Sequence, residues 1–135
     1  MTAVNRSQIQ VFLERYGQAL SVGDLPAISA CWMVPALVLS DSGAIAVSTA
    51  MQVESFFSQA VEWYHEQGVA ATRPILEDVK ILGERLAAVD VLWAALDKAG
   101  IEQANERSHY LLRLGDDGQP RIQVALTKLP LSTAP

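Results

Sequence analysis

Apolar residues recur at two spacings, one helical in the first half of the chain and one strand-like in the second. Ile9, Phe12 and Tyr16 follow the i, i+3, i+7 spacing of a helix that buries one face. This pattern predicts a first helix over about Ser7–Leu20, and Gly23 is a typical residue to end it.

Capping residues place two further helices. Asp24 is a typical N-cap and begins a short second helix, which we expect Pro35 to close because proline disfavours helical geometry in the residue before it. Thr49 and Gln52 have the spacing of a capping box. They predict a third helix that ends near Gln67.

Dense apolar runs separated by turn residues predict the strands. A small hairpin is expected first, followed by four longer strands: Ala36–Ser40 and Ala44–Val47, then about Arg73–Leu82, Arg85–Asp97, Ile101–Leu114 and Pro120–Leu129. Helices first and an antiparallel meander last predict an α+β fold, with three N-terminal helices packed on a curved antiparallel sheet. The length of 135 residues fits one domain over residues 1–135.

Composition narrows the class of partner. Half of the residues are hydrophobic and 19% are charged, which leaves apolar surface for a pocket or a subunit interface. The net charge of −5, without a cluster of basic residues, argues against nucleic acid. No apolar run is long enough to span a membrane, and the one cysteine, Cys31, cannot form an intrachain disulfide. We therefore expect a cytoplasmic protein.

Asp90 interrupts an apolar run, Leu86–Leu96, that reads as a strand buried on both faces. An unpaired carboxylate in such a strand would be costly, so it must be protonated, paired, or next to a cavity that holds water or ligand. Titratable groups in such settings often mark functional sites. A structural acid satisfied by a hydroxyl or a backbone N–H is the alternative, and the sequence leaves both open.

Turn chemistry predicts which side chains share a face of the sheet. The turn between the second and third long strands suits a bulge with glycine in the left-handed conformation, which places Asp90 opposite Ser108. The next turn pairs Tyr110 with Val124, so one face collects these polar groups, with Glu106 farther along the strand. We expect a homodimer through the opposite, open face, which carries Val89, Val91, Trp93, Arg107 and His109.

The segment Arg15–Ile28, with the form R-Y-x-x-A-L-x-x-G-D-L-x-x-I, resembles the first-helix signature of the nuclear transport factor 2-like superfamily, in particular bacterial ketosteroid isomerases. The predicted order of elements is similar over essentially the whole chain. The resemblance implies a cystatin-like fold with a cone-shaped pocket between the helices and the concave sheet face, and usually a dimer. The superfamily also includes SnoaL-like polyketide cyclases, epoxide hydrolases and non-catalytic binding domains, so it implies less about activity.

The resemblance carries over to single residues only in part. Tyr16 falls where the isomerases have the tyrosine that donates a hydrogen bond to the developing oxyanion, and Tyr110 falls approximately at their second, protonated acid. Their general-base aspartate corresponds to Ser40, which is followed by Asp41. The classical base is therefore not retained at its position.

Together these observations predict a domain that binds a small, largely apolar molecule in the cone, as an acid–base isomerase or cyclase in one version of the hypothesis. Asp90 and Tyr16 are the candidate catalytic residues. The candidate ligand-binding residues are Trp32, Phe56, Trp63, Ser108, Tyr110 and Val124.

No cofactor or metal is expected, because Glu62 and His65 have the spacing of a carboxylate-bridged metal site but lack the second copy that such sites need. The alternative function is a non-catalytic dimerisation or interaction domain whose core is filled by its own aromatic residues. Cavity volume separates the two hypotheses. A pocket of at least ~300 Å3 favours ligand binding, and a closed core favours the interaction domain.

Overall fold

Over residues 4–127, which the computed structural model describes, three helices pack on one face of a six-stranded sheet. We call the sheet surface beneath the helices the inner face and the opposite surface the outer face. The elements in chain order are α1 (Arg6–Val22), α2 (Leu25–Ala30), β1 (Trp32–Ser40), β2 (Gly43–Val47), α3 (Ala50–Glu66), β3 (Ala71–Ile81), β4 (Leu86–Leu96), β5 (Glu102–Leu114) and β6 (Pro120–Thr127). The α+β class expected from the sequence is confirmed.

The helix ends confirm the predicted capping residues. Gly23 adopts a left-handed φ of 72° directly after α1, a conformation that favours glycine. At the start of α3, the Gln52 backbone N–H donates to Thr49 Oγ1 at 3.1 Å, and the Thr49 N–H donates to Gln52 Oε1 at 3.1 Å. This reciprocal pair is the predicted capping box, so α3 begins at the expected residue.

The sheet is mixed and has the strand order β2-β1-β6-β5-β4-β3. Four of its neighbouring strand pairs are antiparallel, as expected, but β1 and β6 run parallel, which corrects the prediction of a wholly antiparallel sheet. Pro35 does not close α2, since that helix ends at Ala30 and Pro35 lies within β1. The β1–β6 register shifts between Trp32 and Leu37, and proline is tolerated where a ladder is interrupted.

The core lies between α1 and the inner face. Ile9, Phe12 and Tyr16 are almost fully buried, as the helical spacing predicts. Gly17 permits a close approach of α1 to the sheet, because a Cβ at this residue would lie 3.1 Å from Trp93 Cζ3. The helix therefore places Tyr16 against the Trp93 ring, at a centroid distance of 5.9 Å.

Two bulges change the predicted faces of the meander. The turn before β5 forms as expected, since the Asp97 N–H donates to the Ile101 carbonyl at 3.0 Å and Gly100 has φ 80°. The register then shifts by one residue between Leu96 and Ala95, so Asp90 pairs with His109 instead of Ser108. A second shift, between β5 and β6, pairs Tyr110 with Ala125 and moves Val124 to the outer face. A one-residue slip exchanges the two faces of a strand.

Candidate functional site

A cavity of about 190 Å3 lies between α1, α3 and the inner face of the sheet. Its wall is mostly apolar, and six aromatic side chains form much of its inner part: Tyr16, Trp32, Phe56, Phe57, Trp93 and Tyr110. This volume is below the ~300 Å3 expected of a typical ligand pocket. A dry cavity of ~150 Å3 is nevertheless large enough for benzene, so the space suits a compact ring compound.

Two tyrosine hydroxyls form the polar part of the deep end. The Trp32 indole N–H donates to Tyr16 Oη at 3.2 Å, and the Trp93 indole N–H donates to Tyr110 Oη at 2.9 Å. Burial raises the pKa of Tyr110 to about 12 and also raises the pKa of Tyr16 well above its usual value. Both phenols are therefore neutral, and because each oxygen accepts from an indole, its own proton is available to a ligand.

A carboxyl group lies at the more exposed end of the cavity. Tyr64 Oη donates a long hydrogen bond of 3.4 Å to Glu106 Oε2, and both side chains are half-buried. Burial raises the pKa of Glu106, and it raises that of Tyr64 to about 12 with a further contribution from the negative charge of Glu106. Within residues 4–127, no lysine or arginine lines this cavity.

Five of the candidate residues lie in the wall of this one cavity: Tyr16, Trp32, Phe56, Ser108 and Tyr110. The Ser108 side chain near the Tyr110 phenol partly offsets the effect of burial on the tyrosine pKa. The structure therefore brings these side chains together as expected from the sequence. Their roles in binding or catalysis stay predictions.

Trp63 and Val124 are outside the cavity wall, contrary to expectation. Trp63 packs edge-on against Tyr64, at a centroid distance of 5.1 Å, on a different side of α3. Val124 pairs with Leu111 on the outer face because of the bulge in β6. Ser40, which corresponds to the base of the isomerases, ends β1 and does not line the cavity either.

Asp90 does not point into the cavity, and this expectation was wrong. Its carboxylate lies on the outer face, 43% exposed, with Oδ1 2.6 Å from His109 Nδ1. The apolar run around it misled the prediction, because Ala88 and Leu92 share the outer face and are themselves only half-buried. A carboxylate with solvent and a histidine partner avoids the cost of burial, so Asp90 has no geometric support as a group that acts inside the cavity.

Glu106 is a titratable residue in the cavity wall that was not among the candidate site residues. The signal was present in the sequence, since Glu106, Ser108 and Tyr110 alternate along one strand and must share a face. This parity within β5 does not depend on the pairing with β4. The register shift therefore moved Asp90 away from the site but left Glu106 in it.

Residues 4–127 contain neither a metal-binding cluster nor a membrane-spanning helix. No group of three or more His, Cys, Asp or Glu residues among residues 4–127 is arranged to hold a metal ion. Glu62 and His65 are exposed on α3, and His65 Nε2 lies 3.0 Å from the Ser21 carbonyl oxygen. None of the helices described combines the length and the apolar character that crossing a membrane requires.

Residues 6–129 match the family model described as NTF2-like protein (DUF6841), and the chain belongs to this family of nuclear transport factor 2-like proteins. The resemblance noted in the first helix is thereby confirmed. No protein with curated annotation is significantly similar to the chain.

Solved structures with the same fold come from several bacteria. A domain of unknown function with a cystatin-like fold from Nostoc punctiforme is 20% identical, with a TM-score of 0.67, over 90% of this chain and 75% of that one. An NTF-2 like protein of unknown function from Shewanella oneidensis is 14% identical, with a TM-score of 0.69, over 91% and 98%. A ketosteroid isomerase-like protein from Erwinia carotovora atroseptica is 16% identical, with a TM-score of 0.67, over 90% and 93%. At these identities the likeness concerns the fold alone.

Proposed function

We propose that this protein binds a small, largely apolar molecule in the cavity between its helices and the inner face of the sheet. The observation that carries the proposal is an open space of about 190 Å3 with an aromatic wall and a few polar groups at its two ends. Ligand sites are typically apolar clefts with a small number of placed hydrogen-bonding groups. The volume favours a ligand of one or two rings over a larger polycyclic compound.

The alternative expected from the sequence was an interaction domain with a filled core. It has less support, because the aromatic side chains of α1, α3 and the sheet do not close the space between them. The polar ends also argue against simple packing, since hydroxyl and carboxyl groups next to an unoccupied space are suited to hydrogen-bond a ligand.

A substitution that fills the cavity tests the binding proposal. Ala60→Leu enlarges a side chain of α3 that lines the cavity, and Ala50→Leu makes the same change at an exposed position of the same helix. We expect benzyl alcohol to quench the tryptophan fluorescence of the unmodified protein, since Trp32 and Trp93 line the site. The affinity should fall at least tenfold in Ala60→Leu and stay unchanged in Ala50→Leu. Equal affinities in the two variants would place the probe elsewhere.

Acid–base catalysis on a carbonyl compound is a second candidate, favoured by the presence of Glu106 and two neutral phenols in one cavity. The Glu106 carboxylate would remove a proton from the carbon next to the carbonyl, while Tyr16 or Tyr110 donates a hydrogen bond to the enolate oxygen. Return of the proton from Glu106 to carbon completes the cycle. The likeness in fold to a ketosteroid isomerase-like protein agrees with this chemistry.

Hydrogen–deuterium exchange tests this second candidate and the assignment of the carboxylate. Incubation of cyclohexanone with the protein in D2O should speed loss of the α-proton signals in the NMR spectrum. Glu106→Gln should lower the protein-dependent rate by at least ~100-fold, the usual contribution of a general base. Asp90→Asn should leave the rate unchanged, because its side chain lies on the other face of the sheet. A loss of exchange in Asp90→Asn would contradict the assignment to Glu106.

A further inference from the structure

We infer that the ligand is a compact apolar amine, bound as its ammonium form, with the charge placed next to Glu106 at the outer end of the cavity. The inference rests on the proposed binding function and adds the chemical class of the ligand. Three observations carry it: an unneutralised carboxylate, aromatic rings next to that carboxylate, and two buried phenol hydroxyls farther along the cavity wall.

The first observation is that the Glu106 carboxylate has no cationic partner among residues 4–127. The ion pairs found within residues 4–127 all involve other groups, Arg85–Asp116, Arg107–Glu77 and Arg121–Asp117, and His109 contacts Asp90. His65 also lines the cavity, but its Nε2 lies against the Ser21 carbonyl. A half-buried carboxylate without a counter-charge is unfavourable unless it is protonated or a bound cation neutralises it.

The second observation is the aromatic surroundings of this carboxylate. Tyr64 contacts Glu106 through its hydroxyl, and Trp93 is the residue directly across from Glu106 in the β4–β5 ladder. Both rings line the cavity. Aromatic faces attract organic cations, and a nearby carboxylate adds a direct ionic contact, so the combination favours an ammonium group over a neutral or anionic one.

The third observation is the separation of the polar groups. Glu106 and Tyr110 lie on the same face of β5 with Ser108 between them, so they reach the cavity at different positions along the strand. The phenols of Tyr16 and Tyr110 can donate hydrogen bonds at the deep end. At the outer end, the Glu106 carboxylate can accept hydrogen bonds from a ligand. A ligand therefore enters with its apolar or acceptor-bearing end first and keeps its cationic end at Glu106.

Three probes of similar size and different charge test the inference. Benzylamine is cationic at neutral pH, benzyl alcohol is neutral, and benzoate is anionic. By isothermal titration calorimetry we expect benzylamine to bind at least tenfold more tightly than benzyl alcohol, and benzoate to bind least. Glu106→Gln should remove the preference for benzylamine while leaving the affinity for benzyl alcohol similar.

Glu102→Gln is the matched control, because it removes one negative charge from the same strand at an exposed position outside the cavity wall. It should keep the preference, which excludes an effect of net charge alone. Binding of all three probes with equal affinity would overturn the inference and leave the proposed binding function intact. Absence of binding by every probe would contradict both. The comparison of probes on the unmodified protein remains decisive if Glu106→Gln fails to fold.

Discussion

Asp90 and Glu106 are carboxylates on adjacent strands, and their different surroundings give them different chemistry. Asp90 has solvent and His109 beside it, so its charge is accommodated on the outer face. Glu106 has aromatic neighbours and one long hydrogen bond from Tyr64. The chemistry of an acidic residue depends on the dielectric and the partners around it. Of the carboxylates in residues 4–127, only Glu106 combines partial burial with a place in the cavity wall.

This difference predicts how Glu106 affects stability. Burial raises its pKa in the folded state above the ordinary value of 4.5, so the folded protein binds this proton more tightly than the unfolded chain does. The free energy of unfolding is therefore largest below pH 4.5, and it falls as the pH rises from 4.5 through the folded-state pKa. Tyr64 does not interfere, since its pKa is raised to about 12.

Urea denaturation from below the ordinary carboxyl pKa up to neutral pH measures this effect. As the pH rises, Glu106→Gln should become more stable relative to the unmodified protein, because glutamine does not ionise. Glu102→Gln should follow the unmodified protein, because Glu102 is exposed. Parallel curves for Glu106→Gln and the unmodified protein would mean that the folded state does not disfavour the charged form.

At the scale of elements, the helices could be predicted from the sequence because their signals are local. The spacing of Ile9, Phe12 and Tyr16 lies within one helix, and the contacts of Thr49 with Gln52 lie within one turn. The first helix was expected over Ser7–Leu20 and is observed two residues longer at its C-terminal end and one at its N-terminal end. Such differences are ordinary for helix ends.

Strand pairing was harder to predict, because it depends on residues that are distant in sequence. The turns themselves formed as their glycines indicated, but Gln103 and Gln123 are extra residues in β5 and β6 that no local pattern marks. Each bulge shifts the register by one, and that shift put Asp90 and Val124 on the outer face. Positions on β5 were placed correctly because alternation within a strand needs no partner.

The parallel pairing of β1 with β6 is also a consequence of the whole fold. These strands are separated in sequence by β2, α3 and the first three strands of the meander. The sequence of a strand does not indicate whether its neighbour runs parallel or antiparallel. Pro35 was interpreted as the end of α2 because proline disfavours helical geometry in the residue before it. Its position in the interrupted part of β1 satisfies the same preference in a different element.

At the scale of the whole molecule, the outer face is the surface that the helices leave uncovered. Half-buried apolar side chains run across its central strands, among them Leu92, Leu111 and Val124. The Glu77–Arg107 ion pair and the close contact between Asp90 and His109 lie on the same face. A surface that mixes an apolar centre with charged pairs is typical of subunit interfaces, and we propose that it forms the homodimer contact.

Leu111→Glu tests this interface, because Leu111 lies between Ala88 and Val124 at the centre of the outer face. Val11→Glu introduces the same charge at an exposed apolar position on α1 and serves as the control. Analytical ultracentrifugation should show a dimer for the unmodified protein and for Val11→Glu, and a monomer for Leu111→Glu. Burial of an unpaired carboxylate in a contact costs several kcal/mol, enough to dissociate a dimer of moderate affinity.

The same variant separates assembly from ligand binding. The residues described in the cavity wall lie on the helices and the inner face, away from Leu111, so dissociation at the outer face leaves this wall in place. Leu111→Glu should therefore bind benzyl alcohol with an affinity close to that of the unmodified protein. Loss of binding together with dissociation would show that the cavity depends on the partner subunit. If Leu111→Glu remains a dimer, the subunits contact each other through a surface other than the outer face.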